Sequence, residues 1–166
     1  DKLNIHLCTN EHEFIKKVSH EKDYDFCIID TGGNADILTQ KAIQIADKII
    51  TPISHDAVTE AVGFTRFKSV LNHLESPKIF VAFCNIHSRV ANFKVMEEVL
   101  SSYKNINFLE HGLKTRAIYK RSMAEGLSVA EISKTKNKLA NRSLDVAKKE
   151  LEFFVLEVIN EFIKSK

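Results

Sequence analysis

Hydrophobic residues follow two patterns that alternate along the chain. Short apolar runs rich in Ile, Val and Phe are typical of buried strands, and the stretches between them space their apolar residues at the helical period. The pattern therefore predicts strands separated by helices. The predicted strands are 3–8, 26–30, 48–53, 79–84 and 106–109, and the predicted helices are 11–21, 35–46, 57–74, 90–103 and 115–124.

This order of elements predicts the fold class. Strands joined through helices by short connections form an open, mainly parallel sheet with helices on both faces, a three-layer α/β fold. The run IFVAFC at 79–84 supports this, because a strand with one wet face would alternate polar and apolar residues. Asp56 is the predicted cap of helix 57–74, and Gly126 is predicted to end helix 115–124. The absence of repeats and linkers predicts a single α/β domain over 1–166.

The segment 151–163, LEFFVLEVINEFI, is apolar on much of its circumference. It suits either an amphipathic helix that targets a membrane or a helix packed on the sheet. Acidic rather than basic residues interrupt it, which favours packing on the sheet over a membrane partner.

Composition and charge narrow the class of protein. With 44% hydrophobic and 28% charged residues, the 166-residue chain is not disordered. Its three cysteines, Cys8, Cys27 and Cys84, are far apart in apolar runs, which predicts free buried thiols in a cytoplasmic protein. The net charge of +2 conceals a basic segment, since 87–150 carries thirteen Lys/Arg against seven Asp/Glu. Such a segment is compatible with binding a polyanion.

The stretch DFCIIDTGG at 25–33 offers the clearest chemistry. It predicts a buried strand that ends in Asp30 and is followed by Thr31, Gly32 and Gly33. In open α/β sheets ligands lie beyond the carboxyl ends of the strands. A carboxylate there can hold Mg²⁺ or its water, and glycines let backbone N–H groups approach a phosphate. The alternative is an acid that only caps the end of a strand.

The order and spacing of several such blocks resemble the ParA-type partition ATPases, the deviant Walker-A group that also includes MinD. The resemblance runs from about residue 20 to 163. It rests on the blocks DYDFCIIDTGG, IADKIITPISHD, KIFVAFCNIHSR and FLEHGLKTRAIYKRSMAEGLSV, with a long amphipathic helix after the second block and a terminal helix after the last.

The resemblance implies roles for the residues that match the family motifs. Asp30 matches the Walker B acid, which acts around Mg²⁺ and the attacking water, and Thr31, Gly32 and Gly33 match the switch segment near the γ-phosphate. Asp30 and Thr31 would be catalytic, and Gly32 and Gly33 would bind nucleotide.

Two strand ends complete the implied nucleotide site. Pro52 matches the proline of the family's "IPV" strand end. Asn85 matches the asparagine that reads the adenine edge, a task that suits an amide because it offers donor and acceptor together. Its alternative role is a hydrogen bond to strand-end backbone. Asp30 and Asn85 are expected on the same edge of the sheet.

Basic residues follow in the segments that contact DNA without sequence preference in the family. Arg89, Arg116, Lys120 and Arg121 match those segments. Arg116 and Lys120 are four residues apart on a predicted helix and would project together toward phosphates. A solvated helix face is the alternative. Lys134, Lys136 and Lys138 would extend the patch or keep a loop soluble.

One motif of the family is missing. None of the five glycines belongs to a phosphate-cradling Walker A loop of the form KGGxGKT. We therefore expect the chain to be the C-terminal part of a longer ATPase and to be inactive alone. The alternatives are a relative that has lost this loop and only binds DNA or a partner, and a MinD-like positioning ATPase. A receiver domain is disfavoured, because Thr9 and Asn10 stand where an acidic pair should follow the first strand.

Cofactors and partners follow from the same resemblance. The family uses ATP and Mg²⁺, and two subunits sandwich two ATP molecules. The ATP-bound homodimer coats nucleoid DNA until a ParB-like partner stimulates hydrolysis and releases it.

Overall fold

The computed structural model describes residues 4–20, 23–32, 36–54, 63, 78–87, 93–101 and 106–163. Its elements in chain order are α1 (Glu11–Val18), α2 (Ile37–Ile45), β1 (Lys48–Ser54), β2 (Lys78–Cys84), α3 (Lys94–Ser101), β3 (Ile106–Phe108), α4 (Ala117–Glu125) and α5 (Lys138–Ile163). They belong to two compact units. Helices α1 and α2 lie in the first unit, and the strands and the other helices lie in the second.

The first unit is a pair of capped helices. The side chains of Asn10 and Asp36 accept hydrogen bonds from the backbone N–H groups of Glu13 and Thr39, which are otherwise without partners in a first helical turn. The N–H of Thr39 holds the pKa of the Asp36 carboxyl below its usual value. Both helices agree with the predicted 11–21 and 35–46, apart from shorter ends.

The second unit contains a parallel sheet in the order β1-β2-β3. Ile50 pairs with Phe80, and Val81 pairs with Phe108. These strands match the predicted 48–53, 79–84 and 106–109. The α/β class is confirmed. Pro52 lies within β1, one of the two outer strands of the described sheet, where the missing N–H of proline can be tolerated.

Helical segments cover both faces of β2. On one face, Phe80 and Ala82 form a buried cluster with Leu109, against which Phe154 and Val158 of α5 pack. On the other face, the Phe83 ring stacks on Phe93, just before α3, with centroids 4.5 Å apart. This arrangement gives the predicted three layers.

Helix α5 extends further than predicted, because it begins at Lys138 rather than at 151. Asn137 starts it by accepting hydrogen bonds from the N–H groups of Leu139 and Ala140. Its first half buries Leu144 and Ala147, and its second half packs on the sheet, as predicted. Among the described residues, no helix combines the length and apolar character needed to span a membrane.

Two predicted strands are not formed in the described part of the chain. Residues 4–8 and 26–30 are irregular, and Leu7 and Ile28 are 88% and 89% exposed. The hydrophobic character of these runs is real, but a strand also needs a neighbour to complete its hydrogen bonds. None of the three cysteines forms a disulfide, and Cys27 is exposed whereas the other two are half-buried. The prediction that Cys27 is buried was therefore wrong.

Some predictions lie outside the described residues. They are the cap at Asp56, the helix at 57–74 apart from Gly63, and the site residues Gly33 and Arg89. The remaining helices, 90–103 and 115–124, are confirmed as α3 and α4, and Gly126 ends α4 in the left-handed conformation with φ +64°.

Candidate functional site

Two adjacent strand ends carry a polar pair at the carboxyl edge of the sheet. Ser54 is the last residue of β1, and Asn85 directly follows β2. Asn85 has φ +51°, a left-handed conformation that asparagine adopts more readily than most residues. Its Nδ2 donates a hydrogen bond to Oγ of Ser54 over 3.3 Å, and the residue is exposed. The amide is therefore fixed by the backbone and open to a ligand.

A loop runs along the other side of Asn85. Residues 109–116, here called the edge loop, follow β3 and continue its pairing with β2. Leu113 donates its N–H to the Phe83 carbonyl over 2.9 Å and accepts from the N–H of Ile86 over 3.2 Å. Thr115 donates to the Ile86 carbonyl over 2.9 Å. Main-chain hydrogen bonds thus fix the edge loop beside Asn85.

Gly112 allows the edge loop to approach β2 closely. A Cβ at this position would lie 2.8 Å from the carbonyl oxygen of Phe83 and would overlap the side chain of Ile86. Backbone atoms of a paired strand cannot move aside easily, so only glycine fits.

Two glutamates of α5 bind the backbone of the edge loop. Oε1 of Glu157 accepts from the N–H of Glu110 over 2.6 Å, and Oε2 accepts from the N–H of His111 over 2.9 Å. Oε1 of Glu150 accepts from the N–H of Lys114 over 2.8 Å. Carboxylates of α5 therefore accept from three backbone N–H groups of the edge loop, those of Glu110, His111 and Lys114.

Glu150 also binds two side chains at the start of α4. Its Oε2 accepts from the Arg116 guanidinium, and its Oε1 lies 3.2 Å from the hydroxyl of Tyr119. Burial, and then the nearby negative charge of Glu150, raise the pKa of the Tyr119 phenol.

Asp30, Thr31 and Gly32 lie in the first unit and are exposed, whereas Asn85 lies in the second. The approach of Asp30 to Asn85 stays a prediction. An exposed carboxylate suits Mg²⁺, since this ion keeps several waters and takes few protein ligands. The described residues contain no group of three or more His, Cys, Asp or Glu side chains that could hold a metal without such help.

The predicted DNA-binding residues differ in their surroundings. The side chain of Arg116 is only 21% exposed and faces Glu150, so it does not project beside Lys120 as predicted. Lys120 is exposed and makes no ion pair with any residue that the structure describes. Arg121 pairs with Glu125 over 2.6 Å.

A second basic surface lies at the start of α5. An open hollow of about 320 Å³, here called the basic hollow, is lined by the cations Lys134, Lys138, Arg142 and Lys149. One of them, Lys134, pairs with Asp145 over 3.0 Å. The positive charge that remains in the basic hollow suits a polyanion.

The comparison with known families bears on the first part of the chain. Residues 5–64 match the family model described as ATPase MipZ. The chain resembles the ParA/MinD-like ATPases in this segment. The matched segment includes the whole run from Asp30 to Gly33 and also Pro52. No curated protein sequence matches the chain significantly.

Sequence reasoning missed four residues of this edge: Ser54, Tyr119, Glu150 and Glu157. The signal for the two glutamates was present, because acids seven residues apart share one face of a helix. That face also carries Phe154 and Val158, so its acids had to meet either polar partners or the core.

Proposed function

We propose that this chain is part of a ParA-type ATPase that binds ATP with Mg²⁺ at the carboxyl edge of its parallel sheet. The observation that carries the proposal is the match of residues 5–64 to the ATPase MipZ family, which includes the Asp30–Gly33 motif. The polar edge at Ser54 and Asn85 supports it, because ligands of such sheets bind at that edge.

Each residue has a task that suits its chemistry. The amide of Asn85 can donate to and accept from the edge of an adenine ring. The carboxylate of Asp30 would order the water shell of Mg²⁺ and the attacking water, while Thr31, Gly32 and Gly33 would face the γ-phosphate. Bound Mg²⁺ would supply positive charge against the charge that develops on the phosphates.

The phosphate cradle must come from elsewhere, since these 166 residues contain no KGGxGKT loop. We propose that the chain is the C-terminal part of the ATPase and that another segment supplies the loop and its lysine. In this proposal two subunits dimerise around ATP.

The ATP-bound dimer would bind DNA without sequence preference. Lys120 and the basic hollow are open to solvent and cationic, so both can neutralise phosphates. A ParB-like protein would then stimulate hydrolysis and release the dimer from the nucleoid.

A second candidate is a relative that binds DNA or a partner without catalysis. The observation that favours it is the missing Walker A loop. The two candidates predict opposite results for ATP hydrolysis, whereas binding to DNA is compatible with both.

The test is ATP hydrolysis by the full-length protein that contains this chain. We expect magnesium-dependent hydrolysis that falls about 100-fold in Asp30→Ala, because a group that positions the attacking water is lost. Asp47→Ala is the matched control, since Asp47 is an exposed acid of the same unit. Normal hydrolysis by Asp30→Ala would refute the role of Asp30, and no hydrolysis by the wild type would favour the second candidate.

A further inference from the structure

We infer that Glu150 and Glu157 are positioning residues for nucleotide binding, which act by holding the edge loop beside Asn85. The inference rests on the proposed nucleotide site and adds the terminal helix to it. Neither glutamate touches the nucleotide. Both set the position of the backbone next to the residue that would read the base.

The contacts of Glu157 show the strength of this hold. Both of its oxygens accept from backbone N–H groups, those of Glu110 and His111, and Nδ1 of His111 lies 2.9 Å from Oε2. The His111 ring in turn stacks on Phe153 with centroids 5.5 Å apart. The start of the edge loop is therefore fixed to α5 at several points.

Glu150 fixes the far end of the edge loop. It lies about 10 Å along α5 from Glu157, two helical turns toward the N-terminus. Its oxygens take the N–H of Lys114 and the guanidinium of Arg116, so the last part of the loop and the start of α4 share one anchor. The two carboxylates thus bracket the segment that pairs with Ile86.

The hold is transmitted to Asn85 by main-chain hydrogen bonds. Leu113 and Thr115 lie between the two anchored ends, and both bond to Ile86, the residue after Asn85. Asn85 itself keeps a left-handed backbone conformation, which costs free energy and persists only where the surrounding structure holds it. A loosened loop would therefore change the direction of the Asn85 amide.

The burial of the two acids argues for positioning rather than for stability alone. Their side chains are 12% and 17% exposed. Removing a carboxylate from water is costly, and apolar side chains in such places often stabilise a fold at least as well as buried charges do. What a carboxylate adds is direction, because it accepts several hydrogen bonds from defined donors.

The test compares nucleotide binding by full-length variants Glu150→Gln and Glu157→Gln. Glutamine keeps the size of the side chain, but one acceptor oxygen becomes an NH₂ group that faces an N–H donor. Glu152→Gln is the control, because Glu152 is an exposed acid on the same helix. Equilibrium dissociation constants are measured for ATP, GTP and inorganic triphosphate, and thermal melting is measured separately.

We expect both variants to lose about tenfold in preference for ATP over GTP, a change that corresponds to the net contribution of about one hydrogen bond. Their affinity for inorganic triphosphate should not change, since the phosphates bind elsewhere, and a purely structural role would weaken all three ligands alike. Unchanged preference in folded variants of a wild type that prefers ATP would overturn the inference and leave the proposed function intact. A wild type that binds no nucleotide would overturn both.

Discussion

Arg116 donates two hydrogen bonds to the same oxygen of Glu150, from Nη2 over 2.6 Å and from Nε over 3.1 Å. The pair joins the start of α4 to the middle of α5. It also turns the guanidinium away from solvent, where the sequence pattern had placed it. Arg116 therefore stabilises the packing of α4 on α5 rather than forming part of an exposed basic surface.

Arg116→Ala should lower the free energy of unfolding by about 2 kcal/mol, because it leaves the half-buried Glu150 without its cation. Lys120→Ala, four residues away and exposed, should change it by less than about 0.5 kcal/mol. Urea denaturation of both variants measures the difference. Equal small losses would mean that the pair does not hold α4.

DNA binding should depend on Lys120 and not only on net charge. For the full-length protein and an arbitrary duplex, the slope of log affinity against log salt should become shallower by about one unit in Lys120→Ala. Lys16→Ala, an exposed lysine of α1, should keep the wild-type slope. A wild-type affinity that does not vary with salt would rule out the proposed phosphate contacts.

The Tyr119 phenol should resist ionisation, because burial and Glu150 raise its pKa. In the unfolded chain Tyr119 loses its proton near pH 10, the ordinary value for tyrosine. The contribution of Tyr119 to the free energy of unfolding is therefore full below pH 10 and is lost as the pH rises further. Phenolate absorbance of the folded protein should therefore rise near pH 10 by the same amount in the wild type and in Tyr119→Phe. A larger rise in the wild type would show that Tyr119 ionises normally.

Gly112 and Gly126 should differ in their tolerance of alanine. Gly112→Ala should cost about 2–3 kcal/mol, because its Cβ meets the Phe83 carbonyl. Gly126→Ala should cost about 1 kcal/mol, since nothing lies near its Cβ and only the left-handed φ of +64° is strained. Chemical denaturation gives both values, and a reversed order would contradict the packing of the edge loop against β2.

The sequence predicted the central strands well because their signal is local. Residues 79–84 are continuously apolar, and this pattern is typical of a strand of a parallel sheet that is buried on both faces. The run 26–30 carries a similar pattern, yet Ile28 is 89% exposed. The local sequence does not show which strand a segment will pair with, so hydrophobicity alone could not predict whether 26–30 forms a strand.

The candidate site was predicted in part, for a related reason. Asn85 follows a strand, so its place at the edge could be read from the chain. The ion pair of Arg116 could not, because Glu150 lies 34 residues further along. The early start of α5 was also missed, although Asn137 is a good cap, because the first turns of that helix are polar.

The most direct test of the account is the nucleotide preference of Asn85→Ala in the full-length protein. Competition between ATP and GTP should show a clear preference for ATP in the wild type and in Asn107→Ala, a control within β3. Asn85→Ala should lose that preference while it still binds inorganic triphosphate. An Asn85→Ala protein that prefers ATP as strongly as the wild type would contradict the assignment of this sheet edge to the adenine ring.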